Sequence, residues 1–280
     1  MGAPALILFL AFYLYPALQN LQFATRRWDG ITEPENVGFR NFTNLLTNDD
    51  LFYKTLGNNI EFTFLVVIFQ TALALIFAVF LVKNTKVNIA LRTLYFFPTI
   101  LSSVSVAMIW LFLYDPNVGV INTTLTRIGL DSLALNWLGG ENSALYAIAF
   151  TQVWFHTGQM MVIYIAGLQQ IPAELYEAAE VDGATRWQQF RNVTWPMSIP
   201  TTGVVIAYTT IQSFRAFDLV FSMTNGGPNN SSSIFATLIY VTGFFEYKVG
   251  YAAAQTVFMI LTIVLISWLQ RRAVKDRYSG

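Results

Sequence analysis

Long apolar runs separated by polar segments dominate the pattern along this chain. Six of these runs carry at most one charged side chain each, and about 20 apolar residues in a helix are enough to cross a hydrocarbon core of roughly 30 Å. The pattern predicts six membrane-spanning helices, at approximately Ala3–Leu21, Ile60–Val82, Leu94–Tyr114, Ala144–Leu168, Met197–Phe217 and Ala252–Leu269. The expected fold is an all-α, polytopic membrane helix bundle that forms a single domain over residues 1–280.

The first apolar run has the hydrophobicity of a secretory signal peptide but lacks its flanks. No basic segment precedes it and no small-residue cleavage site follows it, so we predict a retained span. The chain starts almost directly at this run, which leaves room for a short cytoplasmic leader ahead of residue 1.

The composition is consistent with a membrane protein. Of the 280 residues, 55% are hydrophobic and only 11% are charged, whereas a soluble domain carries about 25% charged residues. The 16 basic and 16 acidic residues cancel, which argues against nucleic acid as a partner. Cysteine is absent, and its absence excludes disulfides, thiolate metal sites and cysteine nucleophiles.

Lysine and arginine are distributed unevenly among the loops. The loops on one side hold nine of the 16, concentrated in the short segment Lys83–Arg92 and in the last ten residues, and the seven on the other side are dispersed. The positive-inside bias acts in short loops near helix ends, so the first side is predicted to be cytoplasmic, together with both termini. The outer loops are then about 22–59, 115–143 and 218–251, and the inner loop 169–196 is unusually long.

The long inner loop has the pattern of two short helices joined by a turn. Pro172 suits the first turn of a helix, and Glu174 and Glu177 complement the positive end of its dipole. Gly183 interrupts the helical pattern, because glycine readily adopts a positive φ. We predict a helix–turn–helix across the cytoplasmic face, with the fifth span beginning near Pro196.

Two roles for this loop remain open from the residues alone. Its first helix presents the small side chains Ala178 and Ala179, which suit insertion into a groove of another protein. It is alternatively an interfacial connector that contacts only lipid headgroups, and such helices carry basic residues on their polar face. The first helix instead carries Glu174, Glu177 and Glu180 and no basic residue, which favours a protein partner.

Two stretches of the chain match a known family. The inner loop resembles the EAA loop of binding-protein-dependent ABC transporter permeases through Glu177-Ala178-Ala179, Asp182-Gly183-Ala184, Phe190 and Pro196. Trp195 stands where that family usually has leucine. The stretches Ser213–Asp218 and Thr224–Asn229 resemble permeases of the carbohydrate uptake class, including maltose-type and glycerol-phosphate-type importers. The resemblance extends from about Ile60 onward.

This resemblance implies a type I ABC importer permease in the bacterial cytoplasmic (inner) membrane. The EAA loop would be the coupling helix that docks into an ATPase subunit, through Glu177, Ala178, Ala179, Asp182 and Gly183. The implied partners are a second homologous permease, two ATPase subunits, an extracellular solute-binding protein and membrane lipid. The sequence has no Walker A pattern, so ATP and Mg²⁺ are expected on the ATPase subunits, with no cofactor and no enzyme activity on this chain.

Polar side chains inside two spans are candidates for a substrate pathway. Gln152, His156 and Gln159 lie at i, i+4 and i+7 on one helix face, with Phe155 beside them. In the fifth span, Thr209, Gln212, Ser213 and Ala216 have similar spacing. Both stripes match substrate-facing positions of the maltose-type permease, and the resemblance implies that role here.

A structural role for both stripes is the alternative. Gln, His, Thr and Ser commonly form hydrogen bonds between spans. His156 is the only histidine, so it cannot build a metal site by itself.

The resemblance predicts import of a carbohydrate, with a di- or oligosaccharide favoured. The spans contain no cluster of Arg or Lys that would clamp a phosphate, yet a polyol phosphate such as glycerol 3-phosphate remains the alternative. An ion-coupled secondary transporter would show carboxylates in mid-span and an internal repeat. A membrane-embedded enzyme would need an acid/base pair or a nucleophile near the membrane surface. The sequence shows neither set of features.

Overall fold

The computed structural model describes residues 3–276. Arg277, which contributed to the topology prediction, lies outside the described residues, and the side chain of Lys275 is not described either. The helices are α1 (Ala3–Ala24), α2 (Arg40–Thr47), α3 (Asp50–Leu81), α4 (Lys86–Ile100), α5 (Ser103–Leu113), α6 (Val120–Arg127), α7 (Ala144–Leu168), α8 (Ala173–Val181), α9 (Arg186–Phe214), α10 (Phe217–Thr224), α11 (Phe235–Phe245) and α12 (Val249–Asp276).

The predicted all-α membrane fold is confirmed. Three helices, α1, α3 and α12, are each long and apolar enough to cross a membrane. Two further candidates are bent pairs, α4 with α5 and α9 with α10. The helix α7 has the bounds and the 25 residues predicted for the fourth span. It is not among the helices that are apolar enough to count as candidate spans, because Gln152, His156 and Gln159 lower its hydropathy.

The third predicted span, Leu94–Tyr114, is not one straight helix, which corrects the prediction. Helices α4 and α5 meet at an angle of 99°. Pro98 lacks a donor for the helical ladder, and the chain leaves helical geometry at Leu101. The hydroxyl of Ser102 then accepts a hydrogen bond from the backbone N–H of Ser105 at 3.4 Å and begins α5 as its N-cap.

The fifth span also begins elsewhere than predicted. The helix α9 starts at Arg186, so the second helix of the inner loop and the span are one continuous element, and Pro196 lies inside it. A π-helical turn over Phe190–Thr194 immediately precedes this proline. Such a turn widens the helix locally, which relieves the clash between the proline ring and the preceding turn.

The core of the bundle lies around α7. This helix packs along α3 and also contacts α4 and α9. Phe62, Trp110 and Ile148 belong to one apolar cluster that joins α3, α5 and α7, and Met160 and Tyr164 belong to a second one toward α9. Because α7 lies in the centre, each of its polar residues is either covered by neighbouring helices or lies on the side of α7 that no helix of this chain covers completely.

A small polar substructure covers the end of the bundle that holds the N-terminus of α3. Strands β1 (Arg26–Arg27) and β2 (Glu35–Asn36) pair as an antiparallel hairpin. The backbone N–H of Gly250 donates to the carbonyl of Trp28 at 3.1 Å, which fixes the hairpin to the start of α12. At the same end, Lys54 and Asn58 on α3 donate to carbonyls of the loop between α10 and α11, Lys54 to that of Asn229 at 2.6 Å.

Candidate coupling loop and polar helix faces

The segment that follows α7 forms a helix (α8), a turn and the first turns of α9, as its sequence predicts. Helix α8 ends in a hydrogen-bonded cap in which Ala184 N–H donates to the carbonyl of Ala179 at 2.9 Å and Gly183 N–H to that of Glu180 at 3.0 Å. Gly183 has φ +75°, the left-handed conformation that this cap requires. Thr185 then caps α9, because its hydroxyl and the Gln188 side chain each bond the other's backbone N–H.

The surface of α8 is free within this chain. None of its residues is buried, and Val181 is 88% exposed. A shallow groove of about 430 Å³ lies between α8 and the first turns of α9. Its lining includes four of the five residues predicted to couple to an ATPase, Ala178, Ala179, Asp182 and Gly183. Glu177, the fifth, is exposed on the same helix.

Within residues 3–276, a single polar contact joins α8 to the base of the fifth span. The hydroxyls of Tyr176 and Thr194 lie 3.0 Å apart. Thr194 belongs to the π-helical turn of α9. A displacement of α8 would therefore act directly on the N-terminal part of α9.

The predicted stripe on α7 runs from the interior of the bundle to its surface. Gln152 and Phe155 are buried, with 2% and 3% exposed. His156 and Gln159 are half-buried, and the Gln159 side-chain amide donates to the hydroxyl of Tyr208 on α9 at 3.0 Å. The structure thus brings together His156, Gln159 and Tyr208 on a face that remains partly open.

The stripe on α9 lies deeper. Thr209 and Ser213 are fully buried, and the Ser213 hydroxyl donates to the carbonyl of Thr209 in its own helix at 2.8 Å. Only Gln212 is half-exposed. In this single chain, burial and hydrogen bonds within the protein account for Thr209 and Ser213 as well as a substrate role would, and their role stays a prediction.

Gln70 on α3 is a polar residue that the sequence reasoning did not select. Its amide donates to the Thr209 hydroxyl and to the Gln212 side-chain oxygen, each at 3.5 Å. Gln70 is fully buried, and its Oε1 has no hydrogen-bond partner among residues 3–276. The available signal was its position as the one amide in the apolar run of the second span.

Comparison with known proteins identifies the family. The family model described as "Binding-protein-dependent transport system inner membrane component" matches residues 70–277. The chain is 34% identical over 266 residues to the probable ABC transporter permease protein YurN of Bacillus subtilis, a match that covers 94% of this chain and 90% of that protein. It is 32% identical over 265 residues to the trehalose/maltose transport system permease protein MalF of Thermococcus litoralis, with 94% and 87% covered.

Further matches extend this similarity to structure. The diacetylchitobiose uptake system permease protein NgcF of Streptomyces coelicolor is 33% identical, with 96% of this chain and 79% of that protein covered. A chain of a bacterial ABC transporter that imports the acidic polysaccharide alginate superposes with a TM-score of 0.84 at 25% identity, covering 98% of this chain and 93% of that one. The resemblance drawn from the EAA loop is confirmed, and the chain belongs to the family of inner-membrane components of binding-protein-dependent transport systems.

Proposed function

We propose that this chain is one of two permease subunits of an ATP-driven importer, and that it forms half of the translocation pathway for a neutral di- or oligosaccharide. The observation that carries the proposal is similarity over nearly the whole length of relatives named for trehalose/maltose, for multiple sugars and for diacetylchitobiose. The solute would be delivered by an extracellular binding protein; an alginate importer of the same fold is known in complex with its periplasmic protein.

The exposed α8 and its groove support the ATP-driven part of this proposal. A helix with an acidic first turn and two small side chains fits a groove on an ATPase subunit better than it fits an anionic lipid surface. Two such ATPase subunits would bind ATP and Mg²⁺. With both chain termini in the cytoplasm, α8 lies on the side where these subunits have access to ATP.

The polar side chains of the bundle support a neutral sugar as the solute. The buried polar residues among those described are Asn, Gln, Ser and Thr, whose amides and hydroxyls match sugar hydroxyls as donors and acceptors. The half-exposed His156, Gln159 and Gln212 would face the second, homologous permease. A polyol phosphate would place a dianion next to these neutral groups, without a partner charge.

Reconstitution of the complete importer tests this function. The permease pair, the ATPase subunits and the binding protein would be placed in liposomes, and ATP hydrolysis and uptake measured with maltose, maltotriose, diacetylchitobiose and glycerol 3-phosphate. We expect stimulation of both activities by at least one neutral saccharide. Stimulation by glycerol 3-phosphate alone would establish the alternative solute. Uptake driven by a proton gradient without the ATPase subunits would contradict the proposal.

A further inference from the structure

A large open cleft lies at the end of the bundle remote from the candidate coupling loop. Its volume is about 1010 Å³, just above the range of about 300–1,000 Å³ for ligand pockets. It is lined by the hairpin β1–β2, by α2, by the start of α3 and by the end of α11 with the start of α12. Helix α3, with 32 residues, places this outer cleft about 48 Å from the inner loops.

The lining of the outer cleft combines aromatic rings with side-chain amides. Trp28, Tyr247 and Tyr251 supply the rings, and Asn44, Asn48 and Gln255 supply amide groups. Aromatic faces cover the apolar C–H surface of a sugar ring, and amides bond to adjacent hydroxyls as donor and acceptor at once. This is the chemistry expected of a saccharide site.

Gln255 gives the outer cleft an unsatisfied acceptor. Its side chain is 1% exposed, and its Oε1 has no hydrogen-bond partner in the part of the chain described, residues 3–276. A buried amide oxygen without a partner costs free energy. A hydroxyl group of a bound ligand would supply the missing donor.

Two hydrogen bonds hold aromatic rings of the lining in place. The Tyr251 hydroxyl donates to Asp49 Oδ2 at 2.7 Å, and the Trp28 indole N–H donates to the carbonyl of Thr32 at 2.7 Å. Tyr247 adopts φ +54°, a conformation that a residue with a bulky side chain rarely takes without a compensating contact. The rings of Trp28 and Tyr251 are therefore held in place before any ligand arrives, which lowers the entropic cost of binding.

Charge restricts the saccharides that fit the outer cleft. Lys248 and Glu246 form a salt bridge at 2.8 Å, so their charges cancel. The rest of the lining carries two positive side chains, Arg27 and Arg40, and four negative ones, Asp29, Glu33, Glu35 and Asp49. Hydrogen bonds from the backbone N–H groups of Ile31 and Thr32 lower the pKa of Asp29 to about 2, so it stays ionised. This excess of negative charge opposes uronates and phosphorylated sugars.

We propose that the outer cleft is a second saccharide site, separate from the helix faces of α7 and α9, that binds neutral or amino sugars and excludes acidic ones. The site is built from the hairpin, α2 and the ends of α3, α11 and α12. It rests on the lining of the cleft itself and does not depend on which solute the importer carries.

Direct binding to the permease–ATPase complex in nanodiscs, without the solute-binding protein, tests this site. The probes are maltotriose, the trimer of glucosamine and the trimer of galacturonic acid, followed by calorimetry. The variants are Gln255→Leu, which removes the buried amide at similar volume, and Asn44→Ala on the exposed part of the lining. The control is Thr47→Ala, on α2 but outside the lining.

We expect saturable binding of maltotriose, of the glucosamine trimer or of both, weakened roughly tenfold by Gln255→Leu and severalfold by Asn44→Ala, as the loss of one or two hydrogen bonds implies. The Thr47→Ala complex should bind like the unmodified one. The site does not exist if none of the trimers binds saturably, or if Gln255→Leu and Asn44→Ala both leave the affinity unchanged. Equal binding of the galacturonate trimer would overturn the charge selection. Uptake measured with the same variants reports separately on the transport function.

Discussion

At the scale of single residues, the contact between α7 and α4 depends on the absence of a side chain. Gly158 faces the backbone of α4, and a Cβ atom at this position would overlap the carbonyl of Tyr95 and crowd Phe96. Real Cβ atoms do not come this close to a backbone carbonyl. The central helix can therefore approach the bent third span closely only because residue 158 is glycine.

The variant Gly158→Ala is expected to destabilise the subunit. Overpacking of a well-packed core costs about 1–3 kcal/mol, and here the clash is with backbone, which yields less than a side chain. Gly57→Ala on α3 is the matched control, since nothing lies within 4 Å of its added Cβ and alanine favours a helix by about 1 kcal/mol. Thermal unfolding in detergent should show a lower midpoint for Gly158→Ala and an equal or higher one for Gly57→Ala. Equal stability of the two variants would refute the close packing.

The polar stripe of α7 permits a test of substrate contact against helix packing. Replacement of Gln152 or His156 by leucine should impair transport or change the sugar preference while the complex still assembles, because these groups would bond to sugar hydroxyls. Thr157→Val serves as the control, since the Thr157 hydroxyl donates only to the carbonyl of Val153 in its own helix. Uptake assays and size-exclusion chromatography give the two readouts. Normal transport by both variants, or loss of assembly, would assign the stripe to helix packing.

At the scale of elements, the continuity of α9 links the coupling loop to the membrane. The helix runs from Arg186 at the turn of the loop to Phe214 at the far end of the fifth span. The Tyr176–Thr194 contact ties α8 to the N-terminal part of α9. A force applied at α8 would thus reach the polar residues of the fifth span through one continuous helix, which contains a π-helical turn at Phe190–Thr194 and prolines at 196 and 200.

The turn after α8 should be needed for coupling and not for sugar binding. Gly183→Val forces a β-branched residue into a positive φ, at a cost of roughly 1–2 kcal/mol, and adds volume beside the groove. The strain arises in the backbone of the helix cap and not from a steric clash, because no described atom lies within 4 Å of a Cβ added at residue 183. We expect Gly183→Val to weaken association with the ATPase subunit or to abolish ATP hydrolysis stimulated by the binding protein. Glu177→Gln should also weaken this association or reduce the stimulated hydrolysis.

Gly183→Asn is the control for this turn, since asparagine tolerates the left-handed conformation; it should retain more stimulated hydrolysis than Gly183→Val. The external binding protein should capture sugar with unchanged affinity in every case. Wild-type hydrolysis and uptake by Gly183→Val would show that this loop is not the coupling element.

At the scale of the whole molecule, one chain leaves its polar helix faces partly uncovered. His156, Gln159 and Gln212 are half-exposed within the chain, although they lie in spans that would otherwise meet lipid. A half-exposed amide facing hydrocarbon is costly, so these positions require a water-filled pathway, another protein surface or both.

The subunit is accordingly expected to work only as part of a heteromer. Two different permeases, two ATPase subunits and one solute-binding protein should form the active assembly, because each permease supplies only one wall of the pathway. Mass determination of the solubilised complex would count the subunits, and uptake would be assayed on the same sample. A stable homodimer of this chain that transports sugar without an ATPase subunit would contradict this assembly.

The sequence by itself determined the membrane class, the approximate position of most spans, the helix–turn–helix of the loop after α7 and the family. Apolar runs of span length and the turn at Gly183 are local properties, because a helix in lipid satisfies its own backbone groups and a left-handed cap needs only a few adjacent residues. For that reason α7 and the turn at the end of α8 lie where the pattern placed them.

Only the tertiary structure decided the 99° bend between α4 and α5, the start of α9 at Arg186, the burial of Thr209 against Gln70, and the outer cleft. The burial of Thr209 and the outer cleft depend on contacts between residues far apart in the chain, and the cleft unites positions from Arg27 to Gln255. The bend and the start of α9 coincide with local signals at Pro98, Ser102 and Thr185, but the apolar pattern specifies neither the angle nor the continuity of the helix. Hydrophobicity places a helix in the membrane but does not specify which of its faces meets a neighbour. That choice is made by the shape of the packed side chains, which the order of residues along one helix does not reveal.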